Sequence, residues 1–162
     1  MKKKVWISFS ILTVIIACIY FFLRFNPPLE IGTLASSGDS KSVVVGVGNK
    51  GFQNVKILDV LVNNNDIPAE TKIQVSNALQ GFVITDNYNN EEAKEYRFMN
   101  VNDVTIKAGT SSSSNFEKLD DGTASEKDEI YGVSVFFDKE INAVTIKYSY
   151  LGIPFKETVV LH

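Results

Sequence analysis

The stretch Ala143–Tyr150, AVTIKYSY, decides the fold class of this chain. Its even-numbered residues, Val144 to Tyr150, are apolar, and its odd-numbered residues from Thr145 to Ser149 are polar. Successive side chains of a β-strand point to opposite faces, so this alternation predicts a strand with one buried and one solvated face. A strand of this kind is typical of an antiparallel sheet that is covered on one side.

Seven further runs rich in β-branched and aromatic residues are separated by Gly, Asn, Asp and Pro, which are turn residues. Eight short strands, spaced about ten residues apart, predict an immunoglobulin-like antiparallel β-sandwich of about seven to nine strands. The seven other runs are residues 42–48, 54–62, 71–76, 81–85, 103–108, 131–137 and 155–161.

The strand order is partly indicated by the connections. Residues 138–140 and 151–154 are short enough to join antiparallel neighbours, so the last three runs predict a three-stranded meander. Residues 54–62 are apolar on both faces, with Leu58 and Val60 expected on the same face, and this strand should lie centrally.

Two polar stretches interrupt the strand pattern. Asn89 or Asn90 is suited to cap a helix of about two turns over EEAKEY, and the same stretch is equally compatible with a loop. The four serines of residues 111–114 and the polar residues 117–129 predict one long surface loop.

Residues 5–23, VWISFSILTVIIACIYFFL, contain no charge and would span roughly 28 Å as a helix, which matches a hydrocarbon core of about 30 Å. Lysines occupy positions 2–4, so the positive-inside bias predicts a single-pass protein of the cell membrane with residues 1–4 in the cytoplasm. Residues 24–41 would then form a linker and a candidate first strand, and residues 42–162 an extracytoplasmic sandwich.

Two processing alternatives compete with this uncleaved anchor. Residues 15–18, IIAC, fit a bacterial lipobox, in which Cys18 would become the lipidated N-terminus. The apolar run continues through residues 19–23, which favours the anchor, because lipoproteins usually turn polar after this cysteine. Ordinary signal-peptide cleavage is the second processing alternative, although no A-x-A site ends the run.

Composition excludes several classes of function. Four of the sixteen basic residues lie in the first 24 positions, so the remainder has twelve basic and nineteen acidic residues and a net charge of −7. This charge argues against a nucleic-acid partner. One cysteine and one histidine, the terminal His162, argue against catalytic triads and zinc sites. No cofactor is predicted, since the G-x-G-x-x-G of residues 46–51 is followed by another strand and indicates a hairpin turn at residues 49–51.

The remaining site candidates are acidic or aromatic. Asp120, Asp121, Asp128 and Glu129, together with Glu126, are hard oxygen ligands suited to calcium, with the solvated loop as the alternative. A carboxylate-only hydrolase needs just two Asp or Glu residues, but no pair stands out. Exposed aromatic side chains could contact a sugar or a protein, and Phe136 is the principal candidate for a contact surface. The other aromatic candidates are Phe52, Tyr88, Tyr96, Phe98 and Phe116.

Two stretches resemble known groups of proteins. VVVGVGNKGFQNVKILDVLVNN, residues 43–64, resembles the first hairpin of bacterial immunoglobulin-like modules of the fibronectin or adhesion type, and IKYSYLGIPFKETVVL, residues 146–161, looks like small membrane-anchored extracytoplasmic proteins of Gram-positive bacteria. The resemblance implies a non-enzymatic, membrane-tethered binding or accessory module of the cell envelope. Its partners would be a membrane protein or an envelope component, and the bilayer through residues 5–23. The resemblance assigns no residue a role. A lipoprotein-like binder of a sugar, peptide or metal ion, anchored through Cys18, is the alternative function.

Overall fold

The computed structural model describes residues 2–161 of the chain. These residues form an N-terminal helix, nine strands and a short second helix. In chain order they are α1 (Lys2–Phe25), β1 (Leu29–Ser36), β2 (Ser42–Asn49), β3 (Val55–Val62), β4 (Glu70–Asn77), β5 (Arg97–Met99), β6 (Thr105–Ile106), α2 (Ser112–Asp120), β7 (Glu129–Phe136), β8 (Ala143–Tyr150) and β9 (Ile153–Val160).

The strands form two antiparallel sheets. The five-stranded sheet has the order β1-β2-β7-β4-β5, and the four-stranded sheet has the order β6-β3-β8-β9. Strands β1, β2, β7 and β4 correspond to A, B, E and D of the constant-type immunoglobulin fold, and β3, β8 and β9 correspond to C, F and G. Strands β5 and β6 extend one edge of each sheet. The predicted fold class is therefore confirmed.

The core lies between the two sheets and follows the predicted alternation. Val144, Ile146, Tyr148 and Tyr150 of β8 are all buried in it. The core-facing residues of β2 and β7 alternate in the same way, with Val45 and its register partner in the hydrophobic cluster. Complete burial of each such side chain stabilises the fold by about 1.5–3 kcal/mol.

Strand β3 lies inside the four-stranded sheet, as expected, but its predicted faces are wrong at one position. A bulge between Ile57 and Asp59 adds one residue against β8. This places Val55 and Ile57 in the core together with Val60, while Leu58 is exposed. The inserted residue reverses the alternation, and a strict period of two cannot reveal it.

Two predicted hairpins are wrong because the chain changes sheets at both places. Strand β2 pairs with β1 and β7, whereas β3 pairs with β6 and β8, so residues 50–54 cross from one sheet to the other. The connection from β7 to β8 also crosses, which reduces the expected meander to the β8–β9 hairpin. Its two-residue turn has positive φ at both Leu151 and Gly152, as a type I′ turn requires.

Four predicted segments differ in secondary structure, and one strand is additional. Residues 81–85 form no strand, residues 103–108 contain a strand only at β6, and β5 was not predicted. Over EEAKEY the chain forms a single 3₁₀ turn, Ala93–Glu95, and the Asn90 carboxamide accepts a hydrogen bond of 2.6 Å from the Ala93 amide. The expected long loop over residues 111–129 contains α2.

Helix α1 is apolar, exposed and followed almost at once by the sandwich. The apolar span Trp6–Phe25 is long enough to cross a membrane and is consistent with a signal anchor or a signal peptide. Asn26 closes the helix, since its backbone and side-chain amides both donate to the Phe22 carbonyl at 3.0 Å, and two prolines follow. Strand β1 begins at Leu29, so three residues separate the helix from the first strand.

Candidate functional site

The outer face of the five-stranded sheet is covered by the segment after β4 and by α2. Gln74 of β4 is fully buried on this face and binds the covering segment at Val83. Its Nε2 donates to the Val83 carbonyl at 2.7 Å and to Ser134 Oγ at 2.6 Å, and its Oε1 accepts from the Val83 amide at 3.1 Å. The carboxamide thus satisfies both backbone polar groups of Val83, in place of a neighbouring strand.

Two glycines leave room for the Phe82 ring of the covering segment. Gly46 of β2 and Gly132 of β7 are register partners on adjacent strands. A Cβ on Gly132 would lie 2.9 Å from two carbons of the Phe82 ring, and a Cβ on Gly46 would lie 3.3 Å from Phe82 Cε2. The missing side chains therefore leave the space that the Phe82 ring occupies.

Helix α2 is held against β1 and β2 by close backbone approach and by a carboxylate. A Cβ on Gly48 would lie 2.5 Å from both the Ser112 nitrogen and the Thr110 oxygen. The Glu30 carboxylate accepts hydrogen bonds from Ser111 Oγ at 2.7 Å and from Ser113 at 3.4 Å. Partial burial acts to raise the pKa of Glu30, but these hydrogen bonds outweigh it and lower the pKa. The negative charge stabilises the helix N-terminus.

An apolar cavity of about 300 Å³ remains between α2, the sheet and the covering segment. Its floor includes Val44 and Ile130, and α2 contributes Phe116 and Leu119. Phe116 is 49% exposed and Leu119 is also exposed, so the cavity opens to solvent at the helix. Apart from the Tyr131 hydroxyl, the described residues that line this α2 cavity carry no titratable side chain. Such a lining suits an apolar ligand.

Sequence reasoning missed the α2 cavity, although its signal was present. Residues at positions 112, 115, 116 and 119 follow the i, i+3, i+4, i+7 spacing of an amphipathic helix face. Ser111 caps this helix by accepting from the Ser114 amide at 3.4 Å. Phe116, named as an aromatic candidate, is therefore the one that reaches the cavity.

Phe136, the principal aromatic candidate, is half-buried on the outer face of β7. It lines a second, polar cavity of about 490 Å³ beside the turn between β1 and β2. Asp39, Lys41 and Asp86 contribute charge to this cavity. The position of Phe136 at its wall leaves a small part of one aromatic side chain available for contact.

The candidate calcium ligands lie near one another in the chain, but two of them bind lysines. Asp128 accepts hydrogen bonds from Lys118 and from Ser125, which lower the pKa of Asp128 to about 2. Glu129 Oε2 lies 2.6 Å from Lys107 Nζ and accepts a 2.9 Å hydrogen bond from the Tyr131 hydroxyl. The hydrogen bond from Lys107 is the main cause of the lowered pKa of Glu129.

The other acidic candidates are exposed. Asp120 ends α2, Asp121 follows it, and Glu126 lies exposed in the subsequent turn. Across residues 2–161, no group of three or more His, Cys, Asp or Glu side chains has a metal-binding arrangement. The described structure therefore does not assemble the predicted set around one point.

The glycine motif of residues 46–51 has a packing role, as the contacts of Gly46 and Gly48 indicate. The hairpin turn expected at residues 49–51 is wrong, because the chain crosses to the other sheet there, and neither Asn49 nor Gly51 has positive φ. Asn49 is instead fully buried and organises the crossing loop through its side chain. Its Nδ2 donates to the Gln53 carbonyl at 2.8 Å and to the Ile106 carbonyl at 3.1 Å, and its Oδ1 accepts from the Gly51 amide at 2.8 Å.

The remaining sequence candidates are dispersed. Cys18 is exposed on α1, and His162 lies outside the described residues. Tyr88 and Phe98 pack together with ring centroids 4.7 Å apart, whereas Phe52 is 70% exposed and contacts Tyr150 edge-on.

Comparisons with protein-family models, with curated proteins and with solved structures find no match for this chain. What the structure establishes is an N-terminal apolar helix joined to a β-sandwich of two antiparallel sheets.

Proposed function

We propose that this protein is a non-enzymatic, membrane-anchored binding module of the bacterial cell envelope, with its sandwich outside the cytoplasm. The α2 cavity is the proposed contact site, and its occupant is an apolar side chain of a membrane-protein partner. The apolar lining of that cavity is the observation that carries the proposal.

The volume and the lining of the α2 cavity favour this occupant over the alternatives. About 300 Å³ lies at the lower limit of small-molecule sites, which suits a side chain better than a larger ligand. A sugar or a metal ion needs several polar or charged groups, and the lining is mainly apolar. Because α1 would confine the sandwich to the membrane surface, a weak contact is sufficient for association with a neighbouring membrane protein.

The path of α1 supports an uncleaved anchor over a lipidated Cys18. The helix continues past Cys18 to Phe25, and Leu23 in its last turn is buried in the core of the sandwich. The same residues thus serve both the apolar span and the folded domain. An intact-mass measurement of the mature protein distinguishes a complete chain from one that begins at an acylated Cys18.

Site-specific photo-cross-linking in living cells tests the contact site. A photoreactive phenylalanine analogue is placed at Phe116 in the full-length chain, and a control carries it at Leu58, which is 47% exposed on the other sheet. A third variant adds Ala35→Phe, which fills the α2 cavity from β1, to the Phe116 reporter. We expect a membrane-protein adduct from position 116 that is lost with Ala35→Phe and is absent at position 58. Equal adducts from positions 116 and 58, or an adduct unaffected by Ala35→Phe, would refute the assignment.

A further inference from the structure

The junction between α1 and the sandwich is tight rather than flexible. Leu23 is buried in the core, and the Arg24 guanidinium carbon lies 5.9 Å from the centroid of the Phe155 ring. Pro28 is buried, and its carbonyl accepts a 3.0 Å hydrogen bond from the Lys50 amide. The end of the sandwich that contains Lys50 is thereby fixed beside the end of the apolar helix.

Two exposed apolar side chains lie at this same end. Phe52 is two residues beyond Lys50 and is 70% exposed, and its amide donates to the Tyr150 hydroxyl at 3.1 Å. Leu151 follows Tyr150 in the β8–β9 turn and is also exposed. Phe52 contacts the Tyr150 ring and Leu151 is the next residue after Tyr150, so the two form a small apolar tip, which we call the proximal tip.

The length of α1 sets the height of the proximal tip above a membrane. Residues 6–22 of the apolar span extend about 26 Å as a helix, which nearly fills a hydrocarbon core of about 30 Å. The last turn of α1, in which Leu23 is buried in the sandwich core, then lies at the boundary of the hydrocarbon core. Three extended residues reach at most about 10 Å further, so the first strand begins at the level of the lipid headgroups. Apolar and aromatic side chains at this depth are stabilised at the boundary between headgroups and acyl chains.

We infer that the proximal tip, Phe52 and Leu151, inserts into the headgroup region of the membrane that α1 crosses. The occupant of this surface is the lipid of that membrane, and the inference rests on the anchoring role of α1. Insertion would hold the sandwich in one orientation and direct the α2 cavity sideways along the membrane surface.

The chain contains a matched control residue at the opposite end of the sandwich. Ile67 is 80% exposed and lies in the connection after β3, close to the bridge between Val62 and Asp66. Strand β3 starts at the end that contains the proximal tip, so this connection lies at the far end. Ile67 and Phe52 are thus similar in exposure and apolar character but differ in expected distance from the bilayer.

The test uses the full-length chain with Cys18→Ser and one new cysteine at Phe52, Leu151 or Ile67, each labelled with the fluorophore NBD. Each protein is reconstituted into vesicles of phosphatidylcholine and phosphatidylglycerol, with and without lipids spin-labelled at the headgroup. We expect blue-shifted emission and strong quenching at positions 52 and 151, and neither effect at position 67. Agreement between positions 52 and 151 guards against a local effect of Phe52→Cys.

Vesicle flotation distinguishes a failure of tip insertion from a failure of membrane anchoring by α1. If the chain floats with the vesicles and positions 52 and 151 are quenched no more than position 67, insertion of the proximal tip is refuted while the anchor stands. If the chain does not float, both the anchor and the insertion are refuted.

Discussion

Replacement of Gln74 by leucine should detach the segment that covers the five-stranded sheet. Gln74 is fully buried and makes hydrogen bonds of 2.7 and 3.1 Å to the Val83 carbonyl and amide. Leucine has a similar size, so the change mainly leaves the two backbone groups of Val83 and the buried Ser134 hydroxyl without their partner. Each unsatisfied buried group costs about 1–3 kcal/mol, and the better burial of leucine offsets part of that cost. We expect the free energy of unfolding to fall by about 3 kcal/mol.

Urea denaturation of the full-length protein in detergent, followed by the β-sheet circular dichroism signal, measures this change. With a slope of about 1.5 kcal/mol per molar urea, a loss of 3 kcal/mol lowers the midpoint by about 2 M. The control is Gln53→Leu, the same substitution at an exposed position of the crossing loop, which should shift the midpoint little. Proteolysis within residues 78–84 should become faster for Gln74→Leu alone.

Equal midpoints for Gln74→Leu and Gln53→Leu would refute the reasoning, because the hydrogen bonds to Val83 would then contribute no stability. A lowered midpoint without faster proteolysis of residues 78–84 would show that Gln74 stabilises the sheet itself and does not hold the covering segment.

Three further predictions concern packing, charge and topology. Gly48→Ala should lower the free energy of unfolding by about 2–3 kcal/mol, because the new Cβ would meet backbone atoms at 2.5 Å. The control is Gly38→Ala, where the new Cβ has nothing within 4 Å and should leave stability unchanged or raise it slightly. Thermal melts measure both changes. Because the pKa of Asp128 is lowered, the contribution of this carboxylate to stability should be present at neutral pH and be lost as the pH falls from about 4 towards 2. Asp128→Asn should remove this loss, so the urea midpoint of the variant should depend less on pH over that range. In a Cys18→Ser background, Ile67→Cys should react with an impermeant thiol reagent on intact cells, and reaction only after lysis would reverse the proposed orientation.

The candidate site was less predictable from sequence than the fold. Phe136 and the acidic residues were selected for their chemical type, but tertiary contacts determine what each can do. Lys118 forms an ion pair with Asp128, and this pairing depends on the end of α2 lying beside a later turn. The α2 cavity forms between segments distant in the chain, from Ala35 on β1 to Phe116 on α2, so the amphipathic spacing of α2 indicates one wall of the cavity and not the cavity itself.

The sequence by itself determined the apolar span, the β class and the faces of the most regular strands. Period-two alternation reports burial directly, as in β8, because each side chain of a strand points to one face or the other. The tertiary structure alone decided which strands share a sheet, the bulge at Leu58 and the cavity under α2. A short connection fits a hairpin and a crossing between sheets equally well, and the difference lies in which partner strand completes the hydrogen bonds and covers the apolar face. That choice is a property of the whole packed sandwich.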